Sequence, residues 1–323
     1  MAALAKQRGA TVVMFPGCAE FAFSILDDTD DTTLRNGPPV YAMLRAHGLR
    51  TTKTVWAVDV PPERRGIYHG GETLATPGYL DWVRQLAEEG FEIAFHNASM
   101  ASSPRHTTIF ALDEMARHFR QRVRLHCNHG QNRENLWWGA RRYSSAPLRW
   151  LGWLRASLRS QRRYEGDRPG SPYYWADIAE DRIDYIRGMS FGRLDGRLIP
   201  PGRPYREPRK LLRPVFFNTA DAPDVEAFNR LVNPQSIEEL RRAGGWAIVS
   251  THFGKGFFRQ GELNEQFCET VRCLGRTNGW YVPVSELLDF LVRRDGARPL
   301  GWLERLRMES AHVSDRLALG QPK

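Results

Sequence analysis

Lysine is scarce in this 323-residue chain: five of its 46 basic residues are lysine (Lys6, Lys53, Lys210, Lys255, Lys323) and the rest are arginine. Cysteine is scarce too, with Cys18, Cys127, Cys268 and Cys273 scattered and no Cys-x-x-Cys pair. That excludes a disulfide-stapled miniprotein, and a reduced, cytoplasmic setting is expected. No apolar run approaches the ~18–20 residues that span a bilayer, and the first residues lack the apolar core of a secretory signal. Repeats and low-complexity tracts are absent. With 41% hydrophobic and 26% charged residues, the composition excludes a wholly disordered or collagenous chain and suits a folded globular one.

What is present is a formal charge of +9, unevenly placed. The excess collects between residues 141 and 214, and the remainder is close to electrical balance. In the same segment Trp150, Leu151, Leu154 and Leu158 fall on one helical face and Arg155, Arg159 and Arg162 on another. Such a helix can pack on a domain with its arginines in water. Alternatively, residues 148–163 can lie on an anionic membrane surface. Nucleic-acid binding through Arg with Tyr173, Tyr174 and Trp175 is the non-enzymatic rival. It is not expected, because no recognition motif accompanies these residues.

Residues 11–140 alternate between strand-like and helix-like runs, and the rhythm resumes near 212 and runs to about 295. Phe21–Leu26, Thr51–Val58, Phe91–Phe95, Val123–Cys127, Val215–Phe217 and Trp246–Ser250 read as strands. The segments between most of them carry apolar residues at helical spacing. Alternation of this kind predicts a parallel sheet with crossover helices in an α/β fold. The expected division is a barrel over 10–295, a basic insertion at 141–213 within it, and a C-terminal tail at 296–323.

In parallel α/β folds the chemistry gathers at the carboxyl ends of the strands. Four strands end in a carboxylate or an imidazole: Asp27-Asp28-Thr29-Asp30-Asp31, His96-Asn97, Asn128-His129 and Thr251-His252. Clustered carboxylates repel unless a cation neutralises them. Asp27 and Asp28, at the strand tip, therefore point to metal or acid–base work. Asp30 and Asp31 fit a helix N-cap. In Leu125-His126-Cys127-Asn128-His129, alternation turns His126 and Asn128 to one side and His129 to the other. Spacing leaves open which side faces the site. His252 precedes Gly254-Lys255-Gly256, a loop whose backbone can approach a ligand. It is not a phosphate-binding P-loop, because no Ser or Thr follows the lysine. Asn97, Asn128 and Lys255 are candidate substrate-binding residues.

Phe23-Ser24-Ile25-Leu26-Asp27-Asp28 resembles the first motif of NodB-type polysaccharide deacetylases. Gly90–Asn97 resembles the second motif and Ile248–His252 the last, and Val282–Leu291 is similar to the closing strand and helix. The resemblance covers about 215 residues and implies a distorted (β/α) barrel of about seven parallel strands. It implies Asp27 as general base, Asp28 and His96 as metal ligands, and His252 as general acid. The family's second histidine, four residues after the first, is replaced by Met100. The third ligand must therefore come from elsewhere, with His129 preferred and His106 the other candidate. The family's arginine-containing third motif is not evident.

The implied activity is hydrolysis of an N-acyl group from an amino sugar or glycan, one that suits a lipid-linked substrate. A divalent ion would assist it: zinc first, with Fe²⁺, Co²⁺ or Ni²⁺ compatible. The missing histidine leaves a second reading, a barrel that keeps the fold and binds glycans without turnover.

Overall fold

The computed structural model describes residues 15–62, 70–150, 164–208 and 210–318. Seven parallel strands close a barrel. They are β1 (Phe21–Asp27), β2 (Thr52–Val55), β3 (Glu92–Phe95), β4 (Leu125–His126), β5 (Tyr185–Phe191), β7 (Leu211–Asp221) and β8 (Trp246–Thr251). They pair in the order β1-β2-β3-β4-β5-β7-β8, and β8 returns to β1. Outside this ring, β6 (Tyr205–Glu207) pairs antiparallel with β7, and β11 (Gly279–Tyr281) pairs parallel with β1. A short hairpin, β9 (Phe258–Arg259) and β10 (Glu262–Leu263), stands apart.

The crossover helices follow their strands: α1 (Gly37–Ala46), α2 (Tyr79–Glu88), α3 (Arg105–His118) and α4 (Ala176–Arg182). They are succeeded by α5 (Val225–Leu231), α6 (Pro234–Arg242), α7 (Glu265–Arg276), α8 (Val284–Asp295) and α9 (Trp302–Ala318). Several start where the sequence supplies a cap. Asp224 accepts from the Ala227 amide, and Asn264 from the Phe267 amide. Asn233 and Ser236 form a reciprocal capping box ahead of α6.

Strand alternation divides the apolar residues between two cores. On β1, Phe21, Phe23 and Ile25 join the layer between barrel and helices, whereas Ala22 and Leu26 join the interior with Ala94, Leu125, Cys127, Phe217 and Ile248. Leu287, Leu288 and Leu291 of α8 extend the interior core. This period of two decides where each strand-tip side chain goes.

Two expectations change. Residues 141–213 are not wholly an insertion, because Tyr185–Phe191 is a strand of the barrel wall, paired with β4 and β7. The tail at 296–323 includes the 17-residue helix α9, anchored by buried Met308, Glu309 and His312. Glu309 accepts from the amides of Ser144 and Ser145. The membrane-surface helix expected at 148–163 lies mostly outside the described residues. Its described Trp150 is 61% exposed. Among the described residues no helix is long and apolar enough to cross a membrane.

Candidate active site

Adjacent aspartates at the end of β1 meet opposite surroundings. Asp27 continues the outward parity of Phe21, Phe23 and Ile25 and is fully buried. The Tyr41 hydroxyl donates to its Oδ2 at 2.8 Å, Lys53 Nζ reaches the same oxygen at 3.2 Å, and the Phe253 amide donates to Oδ1 at 2.8 Å. Lys53 is itself fully buried, within 6.0 Å of the ring centres of Tyr41, Tyr79 and Trp82. Asp27, expected as the general base, thus lies on the helix-facing side of the strand tip with both oxygens engaged and its side chain fully buried.

Asp28 follows the inward parity of Leu26 and faces the barrel mouth. Its Oδ2 receives Arg187 Nη1 at 2.6 Å, and its buried Oδ1 has no hydrogen-bond partner. His96 Nδ1 lies 3.8 Å from Oδ1, and His252 Nε2 lies 4.0 Å from Oδ2. Burial pushes this carboxyl up, but Arg187, His96 and His252 outweigh burial and hold it below the usual carboxylate range.

Asp30 does not cap a helix, since α1 starts only at Gly37 behind Asn36. Its carboxylate sits among three rings. Oδ1 is 3.3 Å from His96 Nε2, and Oδ2 is 3.7 Å from both His129 Nε2 and His252 Nε2. Lys255 Nζ lies 3.5 Å from Oδ2. Gly254 lets this loop come close: a Cβ there would stand 2.6 Å from the Asp30 carbonyl oxygen.

The tautomers follow from the partners. His96 Nδ1 faces the Cys127 carbonyl at 3.1 Å, and His252 Nδ1 faces the Pro223 carbonyl at 2.7 Å. His129 Nδ1 faces Asn132 Oδ1 at 2.8 Å, and the Asn132 amide nitrogen is spent on Ser99, Ala101 and Glu134. All three Nδ1 atoms therefore donate, and in the neutral rings each Nε2 presents a lone pair. Burial drives the His129 pKa down to about 4 and lowers that of His252. Lone pairs then face carboxylate oxygens, an arrangement that repels unless a positive charge, a proton or a metal ion, lies between them.

Among the described residues no group of three or more His, Cys, Asp or Glu side chains stands ready-arranged to hold an ion. The donors meet one another, with Asp30 in the centre. Their chemistry nonetheless fits a divalent ion. Imidazole nitrogens are oriented by outer hydrogen bonds, and Asp28 Oδ1 and Asp30 Oδ1 are buried without hydrogen-bond partners.

The remaining sequence candidates divide. His129 faces the cluster, and His126 and Asn128 take the other side. Asn128 is spent: His126 Nε2 lies 3.0 Å from its Oδ1, the Leu136 amide donates to that oxygen, and its Nδ2 donates to the Leu136 carbonyl. Asn97 is fully buried at φ 64°, where its Oδ1 accepts the His129 amide. The side chain of Asn128 is fully engaged within its own loop, whereas the buried Nδ2 of Asn97 has no hydrogen-bond partner. Lys255, at the rim, pairs with Asp30. His106 lies in the first turn of α3, away from the cluster. Sequence reasoning missed Arg187 and the role of Asp30. The signal for Arg187 was a charged residue between Ile186 and Met189 in an otherwise apolar run.

No protein-family model matches the chain, and no curated protein matches it. Solved structures do. A protein described as a polysaccharide deacetylase from Mycobacterium smegmatis superposes with TM-score 0.50 and 11% identity, over 90% of this chain and 96% of that one. The allantoinase Puue superposes with TM-score 0.50 and 10% identity, over 87% and 93%. At such identities the likeness is one of fold: this chain has the barrel that both share.

Proposed function

We propose that this chain is a metal-dependent hydrolase that removes an N-acyl group from an amino sugar or glycan. The observation that carries the proposal is the convergence of the His96, His129 and His252 Nε2 atoms on Asp30, beside the unpartnered Oδ1 of Asp28. Asp30, His96 and His129 would hold the ion, zinc first, with Fe²⁺, Co²⁺ and Ni²⁺ compatible. When bound, it would polarise an acyl carbonyl and acidify a water.

The chain's own groups do the rest. Asp28 is the general base: Arg187 fixes one oxygen and keeps the carboxyl ionised, leaving the other to accept a proton from water. His252, its Nδ1 held by the Pro223 carbonyl, presents Nε2 to pass a proton to the leaving amine. Asp27 and Lys53 fix the floor on which the Asp28 backbone rests. A carbohydrate substrate is supported by the fold shared with a protein described as a polysaccharide deacetylase. An allantoinase on the same fold means that the barrel alone does not choose the substrate.

The test is elemental analysis of the purified chain, followed by acyl release from a panel of N-acylated amino sugars. About one divalent ion per chain and release from at least one sugar are expected. A chain that retains no divalent ion and releases no acyl group overturns the proposal in favour of a glycan-binding barrel.

A further inference from the structure

The last turn of the C-terminal helix α9 grips the ends of two neighbouring wall strands, β5 and β7. Its Arg316 donates Nη1 to Asp221 Oδ2 at 2.9 Å and Nη2 to Ser190 Oγ at 2.6 Å. One residue earlier, Asp315 Oδ2 accepts the Gly192 amide at 2.8 Å. The two gripped side chains belong to the inner face of the barrel. Ser190 stands in register with Thr219, and Asp221 with Ser250, which is opposite Leu26 of the interior core. Arg187 stands opposite Phe217, another interior residue. Residues opposite one another on adjacent strands share a face. Arg187, Ser190 and Asp221 therefore project into the same interior as Asp28.

This side of the interior thus holds two carboxylates and two guanidiniums, paired one to one. Arg187 meets Asp28 at 2.6 Å, and Arg316 meets Asp221 at 2.9 Å. Among the described residues no other cation forms an ion pair with Asp221. The two pairs feel one another. Burial pulls the Arg187 guanidinium down, and Asp28 first, then Cys127 and Asp221, raise it again. Without Arg316, Asp221 would be a carboxylate only 14% exposed with no counter-charge, and such a group is strongly destabilising until it finds one. The guanidinium within range of its charge is the one that Asp28 already uses.

We propose that Arg316 is a positioning residue: by engaging Asp221 it keeps Arg187 on Asp28, so that the C-terminal helix completes the site. Arg316 touches no reacting atom in this account and acts through Arg187. The consequence for turnover rests on Asp28 as the general base; the pairing of the four side chains does not.

Crystallography of the full chain reads the pairing without turnover. In Arg316→Met the Arg187 guanidinium should shift from Asp28 Oδ2 toward Asp221. In Arg316→Met combined with Asp221→Asn it should stand on Asp28 as in the parent. Arg316→Gln, which keeps a donor for Ser190, guards against misfolding and should show the same shift as Arg316→Met. Arg187 unmoved in Arg316→Met or Arg316→Gln overturns the proposal.

Turnover separates this role from that of a clip that merely joins two strands. Arg316→Met and Asp221→Asn break the same ion pair, so a clip predicts equal losses from both. Competition for Arg187 predicts unequal ones. Arg316→Met should lower kcat by about tenfold or more with KM little changed, a share of what a positioned base contributes. Asp221→Asn, which removes the competitor itself, should stay near the parent rate, and the double variant should recover that rate. Equal losses in the two single variants, or no recovery in the double, overturn the proposal. A displaced Arg187 in a chain whose parent releases no acyl group from any sugar keeps the pairing and removes the deacetylation reading.

Discussion

Asp27 and Asp28 are neighbours in sequence and belong to different parts of the molecule. The helix-facing side of the wall gives Asp27 a buried ammonium, a phenol and an amide; the barrel mouth gives Asp28 a guanidinium on one oxygen and nothing on the other. The difference comes from the two-residue period of β1, which sends odd positions outward and even ones inward. It teaches that a paired-aspartate motif is not two equal carboxylates. One member is neutralised by a buried ammonium, and the other keeps an oxygen without a hydrogen-bond partner, the one that the proposed base role would use.

The largest expected effect tests the reactive side. Asp28→Asn should lower kcat by about 10²- to 10⁴-fold, the usual contribution of a positioned general base. Its ion content should stay close to that of the parent, while its thermal midpoint should fall, because Arg187 is left buried without its counter-ion. Turnover at the parent rate in Asp28→Asn would return the base role to another group.

The neutralised side should fail differently. Asp27→Asn leaves Lys53 charged and buried without its counter-ion, and breaking one partner of such a pair costs about 3–5 kcal/mol of stability. Urea unfolding reads this directly. A variant with full stability and no activity would mean that Asp27 reaches the chemistry after all.

Protons give the third contrast. The pKa of His129 is pushed down to about 4 by burial, and that of His312 is lowered by burial together with Arg142 and Arg316. The unfolded chain therefore takes up protons first as pH falls below about 6.5, and stability is lost on that side. Burial raises Glu134 to about 7, so its contribution runs the other way and is lost as pH rises from about 4.5 through 7. His126 and His252, whose values burial also lowers, add to these two histidines, and together they outweigh Glu134 and Glu92, both raised by burial, between these limits. Stability of the ion-free chain should climb from about pH 4 to a maximum near 6.5 and then sag. Glu134→Gln should remove the sag and steepen the climb. A flat profile in denaturant titrations across this range would show that the rings are not held neutral.

Much of this arrangement was legible in the residues, and the illegible parts have physical reasons. Four strands read as apolar runs ending in Asp or His, because tips at the mouth must be polar while the wall must not. The parity that separates Asp27 from Asp28 was hidden, since β1 is buried on both faces and carries no polar alternation to show which way it turns. Asp30 looked like a helix cap because the loop before α1 is longer than a capping turn, and nothing local announces where the helix begins. Arg187 was concealed by its neighbourhood. A segment rich in Arg, Pro and Gly reads as an insertion, yet its Tyr185–Phe191 stretch is a strand of the barrel wall and brings the only guanidinium that pairs with Asp28 among the described residues.

The smallest expected effect sharpens the contrast one bond further out. Asn132 has no place in the chemistry, but its Oδ1 fixes the His129 ring by accepting from Nδ1, and its amide nitrogen ties Ser99, Ala101 and Glu134 behind it. Removing that acceptor frees the ring to rotate and to exchange tautomers, which takes the Nε2 lone pair off the cluster for part of the time. Partners of this outer kind typically contribute about 10- to 100-fold to metal affinity. Asn132→Ala should therefore weaken zinc binding by that factor, read by competition with a chelating dye. Asn132→Asp, which keeps an acceptor in place, should recover most of it. Equal affinity in parent and Asn132→Ala would detach His129 from the ion and leave Asp28, Asp30, His96 and His252 as the set to examine.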